Sequence, residues 1–462
     1  MSWRISSLVV AMLLVACGGG SQKQAAGVDP GTPTPGCTGS CADTATSLTV
    51  ADVENVIAQA VAEAQARNVS ATIAVVDRVG NVLAVFRMNA AATSITVASP
   101  GAAVSGGLEG VNVVPDTLAA IAKAVTAAYL STEGNAFSTR TASQIVQDHF
   151  NPEDNQQPAG PLFGVQFSQL PCSDLVTRFG GGVPGAGPHR SPLGLAADPG
   201  GLPLYKSGTP VGGVGIISDA SYSFDADISD VDIDDDELIA IAATSLLAAP
   251  GNRRANQIAV DGRTLRFADG AMNDLLSDPN AAPNFPSIDN VAGNLVAATG
   301  YVAASISAGV AFGHAASGIR PDALDYPGLD AFVLVDDLDA ERYRPIAGTD
   351  GAAALTAVEV QTILGEALKI ANKSRAQIRR PVGTAARVTI SVVDSNGVIL
   401  GVVRGRDAPV FGIDVSLQKA RTAAFFSSAS AAAALNALPP ATYLDGGLVV
   451  LARIPLSQYV TA

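Results

Sequence analysis

The chain has 462 residues, of which 48% are hydrophobic and 15% charged, so it is longer than one ordinary domain and apolar enough to bury a core. This composition excludes global disorder and predicts two or three domains. The formal net charge of −14 argues against nucleic acid and anionic lipid surfaces as partners, and it suits a secreted or periplasmic protein.

Residues 1–17 predict a lipoprotein signal peptide. Arg4 precedes a mostly apolar run over residues 5–14, which is too short to span a bilayer as a helix. The segment that ends at Cys17 has the pattern of a bacterial lipobox, after which this Cys becomes the acylated first residue of the mature protein. Because Gly18 rather than Asp follows, we expect a lipid anchor in the cell envelope, at the outer membrane. A plain secretory peptide, giving a periplasmic or extracellular protein, is the alternative.

Residues 18–46 are rich in Gly, Pro, Thr and Ser and predict a flexible tether. Cys37 and Cys41 lie four positions apart within it, and an exported protein meets an oxidising compartment. A small Cys37–Cys41 disulfide loop is therefore expected. Cys172 then has no obvious partner, so it is either buried or a reactive thiol.

The region 47–250 begins with a helix followed by a β-hairpin. Thr49 is a natural N-cap and Asp52 is placed to complete a capping box, before apolar residues repeat at helical spacing over 53–66. Two β-type runs, 72–77 and 81–87, then flank a short turn that contains glycine. This order of elements predicts a helix packed beside an antiparallel hairpin.

The region 351–462 repeats these elements in the same order. Thr356 and Glu359 have the capping-box spacing, and an apolar stripe follows. Two β-type runs, 388–394 and 398–404, are joined through Asn-Gly, which is the strongest short signal for a hairpin. We therefore expect an internal duplication.

Both copies continue into a helix that contains a Lys-Ala sequence, at 123–128 and 419–424. The first copy then adds a Gly-rich strand at 208–218 and a helix capped by the acidic residues 234–237. The second copy shows neither element before Ala462 and is expected to be incomplete. The inter-repeat segment 251–350 mixes polar loops with a run of small residues, 294–312, that is typical of a helix.

This ordered set of elements, present twice, resembles the GlcG/HbpS family of haem-binding and haem-degrading-like domains. The resemblance implies an α/β (α+β) fold with a mostly antiparallel sheet and helices packed on it, duplicated here as a tandem pseudo-dimer. It also implies a tendency to form homo-oligomers. The first copy carries an insertion around residues 138–205 that is not part of the minimal pattern of the family.

Haem iron takes His, Met, Cys or Tyr as an axial ligand, and haem carboxylates favour Arg. The chain has three His. His149 lies near the expected C-terminus of a helix that also carries Arg140. This placement predicts His149 as the iron ligand and Arg140 as the partner of a propionate. The alternative is a charged His149 that only stabilises the helix dipole. His189, in a Gly/Pro-rich loop, is a second candidate for haem binding, although such a loop is more often solvent-exposed. His314 is the weakest candidate.

Two further patterns were weighed for other chemistry. The acidic stretch 225–237 begins like an EF-hand at Asp230, but Asp235 and Ile241 stand where that loop needs Gly and Glu. A looser cation site and a solvated loop with a helix cap both stay open, and no metal ligand is assigned. The glycines at 212–215 lie in a β-type run, so they indicate close packing rather than a phosphate-binding loop.

The function that these features favour is an exported protein that binds haem or a related tetrapyrrole. The alternative is a cofactor-free structural or interaction lipoprotein that assembles through the duplicated domain. No catalytic residue is assigned, so enzymatic turnover of bound haem stays open. Haem is the only cofactor expected, and membrane contact is expected only through the lipid anchor.

Overall fold

The computed structural model describes residues 47–99, 108–146, 165–170, 173, 186–225, 227, 230–260, 262–437, 441–445 and 448–452. The predicted signal peptide and tether, and the expectations for Cys17, Cys37, Cys41, Cys172 and His149, lie outside these residues. In the described part of the chain, no helix is both long and apolar enough to cross a membrane.

The described residues form a mixture of helices and mostly antiparallel strand pairs, which confirms the expected fold class. The helices are α1 (Val50–Ala66), α2 (Asp116–Leu130), α3 (Thr139–Val146), α4 (Asp235–Ala243), α5 (Ala357–Lys373), α6 (Gly412–Phe426) and α7 (Ala429–Asn436). The strands are β1 (Thr72–Asp77), β2 (Val82–Met88), β3 (Ser94–Val97), β4 (Val114–Pro115), β5 (Gly201–Lys206), β6 (Thr209–Ile217), β7 (Ser221–Tyr222), β8 (Ala259–Val260), β9 (Arg263–Thr264), β10 (Gly293–Leu295), β11 (Ile319–Pro321), β12 (Phe332–Leu334), β13 (Thr389–Val393), β14 (Ile399–Arg404), β15 (Ala441–Asp445) and β16 (Leu448–Ala452).

The capping boxes expected at the start of each copy are both present. The amide of Asp52 donates to the Thr49 hydroxyl at 3.2 Å, and the amide of Thr49 donates to the Asp52 carboxylate at 2.6 Å. In the second copy the amide of Glu359 donates to Thr356 at 3.3 Å, and the reciprocal bond is 2.8 Å. The helices that follow, α1 and α5, each have 17 residues. Both copies therefore begin with the same structure.

The two hairpins also match in atomic detail. The register shifts at the same place in β1–β2 and in β13–β14, immediately before the Val that precedes Asp77 in the first hairpin and Asp394 in the second. The carboxylate of Asp77 accepts the amides of Val79 and Asn81, both at 3.0 Å. The Asp394 carboxylate accepts the equivalent amides of Asn396 and Val398 at 3.0 and 2.8 Å. This shared turn chemistry confirms the duplication.

Each copy has its own sheet, and the inter-repeat segment contributes strands to both. The first sheet has the order β10-β2-β1-β6-β5 and the second has the order β11-β12-β14-β13. Strands β10, β11 and β12 all come from the inter-repeat segment. Strand β10 pairs with β2 and β12 pairs with β14, the second strands of the two hairpins, and β11 pairs with β12. This segment therefore completes both sheets, which the sequence did not predict.

Strand β6 carries the glycines that were expected to permit close packing. Helix α2 lies directly on this strand, and a Cβ atom at Gly213 or Gly215 would overlap the carbonyl oxygens of Ala124 and Ala120. Both glycines lie inside the strand rather than at a helix N-terminus. The packing expectation is confirmed.

The prediction of a helix over residues 294–312 is wrong, because this run contains the end of β10 and turns. Its last part crosses the first hairpin as a strap, which we define as residues 307–310. Backbone amides of the strap donate to the ends of α1 and of the hairpin, so they are not available for a helix ladder. The three bonds run from Ser307 to the Leu83 carbonyl (2.9 Å), from Gly309 to the Leu48 carbonyl (2.9 Å) and from Val310 to the Asp77 carboxylate (3.1 Å).

A second strap, residues 346–349, crosses the second hairpin in the same way. Both straps therefore belong to the repeated structure, although they lie within the segment that separates the two copies in sequence. The corresponding bonds run from Ile346 to the Leu400 carbonyl (2.9 Å), from Gly348 to the Leu355 carbonyl (2.8 Å) and from Thr349 to the Asp394 carboxylate (2.9 Å).

The two copies share one apolar cluster. It contains Val76, Ile121 and Tyr129 from the first copy together with Val402 and Ile413 from the second. Burial of these apolar side chains stabilises the contact between the two copies through the hydrophobic effect, which does not depend on direction. The packing agrees with a tandem arrangement of two similar domains in one chain.

A buried ion cluster also connects the copies. Asp407, from the second copy, lies 2.6 Å from Arg78 of the first hairpin turn and 2.6 Å from Arg379. Arg406 pairs with Glu133, which follows α2, through both terminal nitrogens of its guanidinium. Each of these five side chains is at most 6% exposed. Their mutual placement fixes how the second copy sits on the first.

Candidate functional site

A cavity of about 360 Å³ lies beside the first hairpin turn. Its wall combines the hairpin from Gly80 to Leu83, the loop at 189–190, and the part of the inter-repeat segment that leads into the first strap. A volume of this size is in the range of small-molecule pockets. The cavity is thus formed by the first hairpin, which belongs to the repeated fold, and by two segments outside that fold.

The backbone of His189 is fixed against the repeated fold. Its amide donates to the Val79 carbonyl at 2.8 Å, and its carbonyl accepts a hydrogen bond from the Tyr129 hydroxyl on α2. Gly80 has a φ of +84°, and a Cβ atom there would come within 2.5 Å of this hydroxyl. The turn therefore requires glycine at position 80. It also positions the backbone of His189.

The imidazole of His189 is suited to bind a metal ion. Its Nε2 atom is buried and has no hydrogen-bond partner among the described residues. Burial, reinforced by the charge of Arg190 and opposed by Asp337, lowers the pKa of His189 to about 4. The ring is therefore neutral at neutral pH, which is the form that ligates metals.

Arg190 supplies a cation at the same cavity. Its guanidinium carbon lies 5.1 Å from the centroid of the Tyr301 ring, a cation–π distance. Arg190 makes no ion pair with any carboxylate of the described residues. Its charge is therefore available for a carboxylate on a ligand, and the Tyr301 ring provides an aromatic surface beside it.

These groups together suit a planar ligand that carries both a metal ion and carboxylates. His189 offers a nitrogen, Arg190 a positive charge, and Val82, Leu83 and Val302 an apolar wall. A second cavity of about 660 Å³ also has Asn81 in its wall.

Arg140, which was predicted to pair with a haem carboxylate, lies elsewhere. Its side chain is fully buried, and its Nε atom lies 2.7 Å from Glu237. Its Nη1 atom lies 2.9 Å from Asp225, 3.0 Å from Asp269 and 3.5 Å from Asp232. This guanidinium neutralises carboxylates of its own chain and is not presented to a ligand. The structure therefore corrects the haem role expected for Arg140.

The same contacts explain the role of the acidic stretch 225–237, for which the sequence left two interpretations open. Asp225 and Asp232 surround the Arg140 guanidinium, and Asp234 caps α4 by accepting the Glu237 amide at 2.8 Å. The stretch therefore acts as the counter-charge for a buried arginine and as a helix cap, and a cation site is not needed to explain it.

Of the predicted haem residues, the structure places His189 at the cavity. His149 lies outside the described residues, and the His314 side chain is not in the wall of this cavity. Sequence reasoning missed Arg190 and Tyr301. The adjacent Arg could have been found from its position next to His189, whereas nothing in the local sequence points to Tyr301.

The fold and this site define a protein of two α/β repeats with a cavity beside the hairpin of the first. The model of the family described as haem degrading protein HbpS-like matches residues 48–105 and 364–454. Two regions of the chain, one in each copy, are therefore similar to this family, which confirms the resemblance and agrees with the duplication. No curated protein sequence matches the chain.

Two solved structures are similar to part of the chain. The crystal structure of the Klebsiella pneumoniae protein ORFY is 20% identical and covers 44% of this chain and 93% of its own, with a TM-score of 0.26. The crystal structure of a PduOC:haem complex is 19% identical and covers 42% of this chain and 91% of its own, with a TM-score of 0.25.

Proposed function

We propose that the chain binds haem or a related tetrapyrrole in the cavity beside His189. The observation that carries this proposal is the buried Nε2 atom of His189, which has no partner among the described residues and belongs to a ring kept neutral by its low pKa. The two HbpS-like regions support a haem-related role, because the family model is described by haem chemistry.

The residues at the cavity match what a haem requires. His189 would hold the haem iron through its Nε2 atom, since imidazole is an established haem ligand in proteins. Arg190 would hold a haem carboxylate, and Tyr301 would offer its ring to the ligand. The hairpin turn and the first strap hold these groups in place through backbone bonds, so the site is largely formed before the ligand binds.

A titration of the full chain with haemin tests this proposal. We expect a shifted Soret band that saturates at one equivalent, with the same affinity at pH 8 and at pH 5.5. The reason is that protons compete with iron for the imidazole only near its pKa of about 4. An affinity that falls about tenfold per pH unit below the ordinary histidine pKa of about 6.5 would contradict the assignment of His189.

The same titration separates this function from the alternative of a cofactor-free assembly module. The shared apolar cluster and the buried ion cluster favour a rigid body that could serve such a role without a ligand. A chain that gives no Soret shift with excess haemin but forms one defined oligomer in solution would support the alternative.

We also propose that the protein is exported and acylated at Cys17. The support is the sequence of residues 1–17, with its short apolar run and lipobox pattern. Mass spectrometry of the protein from bacterial membranes is expected to find an N-terminus at Cys17 that carries acyl chains. An unmodified N-terminus, or a chain that retains Met1, would rule out this part of the proposal.

A further inference from the structure

A buried carboxylate fastens helix α2 to the first hairpin. Asp116 is the first residue of α2, and its side chain is fully buried. Its carboxylate accepts hydrogen bonds from the Thr72 hydroxyl and, at 2.8 Å, from Nε of Arg87, and it also pairs with Nη2 of this arginine. Thr72 and Arg87 are direct partners in the pairing of β1 with β2. One carboxylate therefore connects the helix with both strands of the hairpin.

The second hairpin keeps the two groups that hold this carboxylate. Thr389 and Arg404 are direct partners in the pairing of β13 with β14, and the register places them where the first hairpin has Thr72 and Arg87. Direct partners in an antiparallel pair project from the same face of the sheet. Helix α6 lies on this face, with Gly412 next to Thr389. The second copy thus presents a hydroxyl and a guanidinium to α6, as the first copy does to α2.

Helix α6 lacks the corresponding carboxylate. Helices α2 and α6 each have 15 residues, and Gly412 begins α6 as Asp116 begins α2. The Lys of the Lys-Ala sequence lies at the same distance from the first residue in both helices. A Cβ atom at Gly412 would lie 3.7 Å from Oγ1 of Thr389, which is ordinary van der Waals contact. Gly412 therefore stands in the place of Asp116, and the position has room for further atoms.

The groups that hold the carboxylate in the first copy are unpaired in the second. Oγ1 of Thr389 and both Nε and Nη1 of Arg404 are buried, and none has a hydrogen-bond partner in the part of the chain that the structure describes. The remaining nitrogen, Nη2, donates to the Ala408 carbonyl. Arg404 is fully buried, and this burial, reinforced by the charge of Arg78, lowers the pKa of Arg404 to about 9. A buried guanidinium without an anion is unfavourable, so these donors are available to a ligand.

The carboxylates near Arg404 have other partners. Asp407 and Asp330 oppose the lowering of the pKa of Arg404, but neither forms an ion pair with it. Asp407 already pairs with two other arginines, and Asp330 pairs with Arg387 at 2.9 Å. The described residues therefore do not supply the anion that Arg87 finds in Asp116.

We propose that the second copy binds a small carboxylate of the size of acetate between Arg404, Thr389 and Gly412. An aspartate is a glycine that carries the CH₂ and carboxylate groups of acetate, so acetate supplies the atoms that Gly412 lacks relative to Asp116. Thr389 and Gly412 are only partly buried, so the site borders solvent. The N-terminal end of the α6 dipole adds a favourable potential for a negative charge.

A ligand at this site also acts on the contact between the two copies. The guanidinium carbon of Arg404 lies 5.5 Å from the centroid of the Phe312 ring, and that of Arg78 from the first hairpin lies 3.8 Å from the same centroid. A carboxylate bound to Arg404 offsets the repulsion between these two cations. We therefore expect the ligand to stabilise the whole chain and not only the start of α6.

Thermal unfolding of the full chain without haemin, in acetate and in chloride at equal ionic strength and neutral pH, tests the site. We expect acetate to raise the unfolding temperature of the wild type, with a dependence on concentration that saturates. Gly412→Asp is expected to unfold at a higher temperature than the wild type in chloride, because its own carboxylate reaches Arg404 and Thr389. It is also expected to lose the response to acetate, and NMR of ¹³C-labelled acetate should show binding at least tenfold weaker than in the wild type.

Gly412→Asn is the matched control, because it fills the same space without a charge. It is expected to lose the response to acetate with a smaller gain in stability, which comes from replacing glycine in a helix. Asp116→Gly is the converse variant, since it opens the equivalent position in the first copy. We expect it to unfold at a lower temperature than the wild type in chloride and to recover part of this loss in acetate.

Two results would overturn the proposal. The first is a wild type that does not respond to acetate, or that responds no more than Gly412→Asp does, since the effect of acetate would then be a general solvent effect. The second is an equal gain in stability for Gly412→Asn and Gly412→Asp, since the charge at this position would then have no partner. None of these readouts depends on haem, and Arg404, Thr389 and Gly412 are not in the wall of the cavity beside His189.

Discussion

Replacing Asp407 with alanine is expected to lower the free energy of unfolding by about 3–5 kcal/mol, the usual cost of removing one partner from a buried ion pair. Asp407 is 1% exposed and pairs with Arg78 and Arg379 at 2.6 Å each. Its carboxylate also accepts the amide of Glu133 at 3.0 Å. The substitution would leave two buried guanidinium groups without their shared anion.

The charges that surround Asp407 agree with this large effect. Burial opposes the charge on Asp407, but Arg379, Arg78 and Arg406 together hold the pKa of this carboxyl well below its usual range. Two nitrogens of the Arg78 guanidinium, Nε and Nη1, have no hydrogen-bond partner among the described residues. Arg78 therefore depends on Asp407 for its main polar contact.

Urea unfolding of the full chain measures this effect. Glu366→Ala is the control, because it breaks an exposed pair with Lys369 whose partners are 64% and 49% exposed. That variant is expected to lose about 0.5 kcal/mol or less. A loss below about 1 kcal/mol for Asp407→Ala would mean that this ion cluster does not fix the packing of the two copies.

His189→Ala is the second substitution with a large expected effect. It removes the proposed iron ligand. Loss of a residue that only supports a metal ligand costs about 10- to 100-fold in metal affinity, so we expect loss of the ligand itself to lower the affinity for haemin by more than about 100-fold. The Soret band of any remaining complex is expected to shift, since the ligand field of the iron changes.

Two controls make this result specific. Circular dichroism and the unfolding midpoint should stay close to the wild type, because the backbone bonds of His189 to Val79 and Tyr129 do not need its imidazole. His314→Ala removes a histidine that is not in the wall of the cavity and should bind haemin normally. An unchanged spectrum in His189→Ala, or a loss confined to His314→Ala, would contradict the assignment.

Local patterns in the sequence predicted the repeated elements well. The capping boxes at Thr49 and Thr356 and the two hairpins all follow from residues near one another in the chain. Such features depend on backbone conformation and on i to i+3 contacts, which a short stretch of sequence specifies.

The predictions that were wrong depended on distant contacts. Small residues between 294 and 312 suggested a helix, but the amides of the first strap bond to Leu83, Leu48 and the Asp77 carboxylate. Arg140 was assigned by its spacing from His149, whereas its partners Asp225 and Asp269 lie far along the chain. The hairpin β15–β16 of the second copy was also not predicted, although its two strands are neighbours in the chain.

The candidate site could be predicted only in part for the same reason. His189 was found from the chemistry of a short list of histidines, not from a motif. Tyr301 and one side of the cavity wall come from the inter-repeat segment, which no local pattern connects to the first hairpin. The cavity exists because this segment crosses back over the first copy.

A crystal structure of the full chain with haemin bound tests the central claim most directly. We predict that the iron is bonded to Nε2 of His189 and that a propionate contacts Arg190. Iron ligated by a different residue, or haemin bound away from the first hairpin turn, would contradict the account.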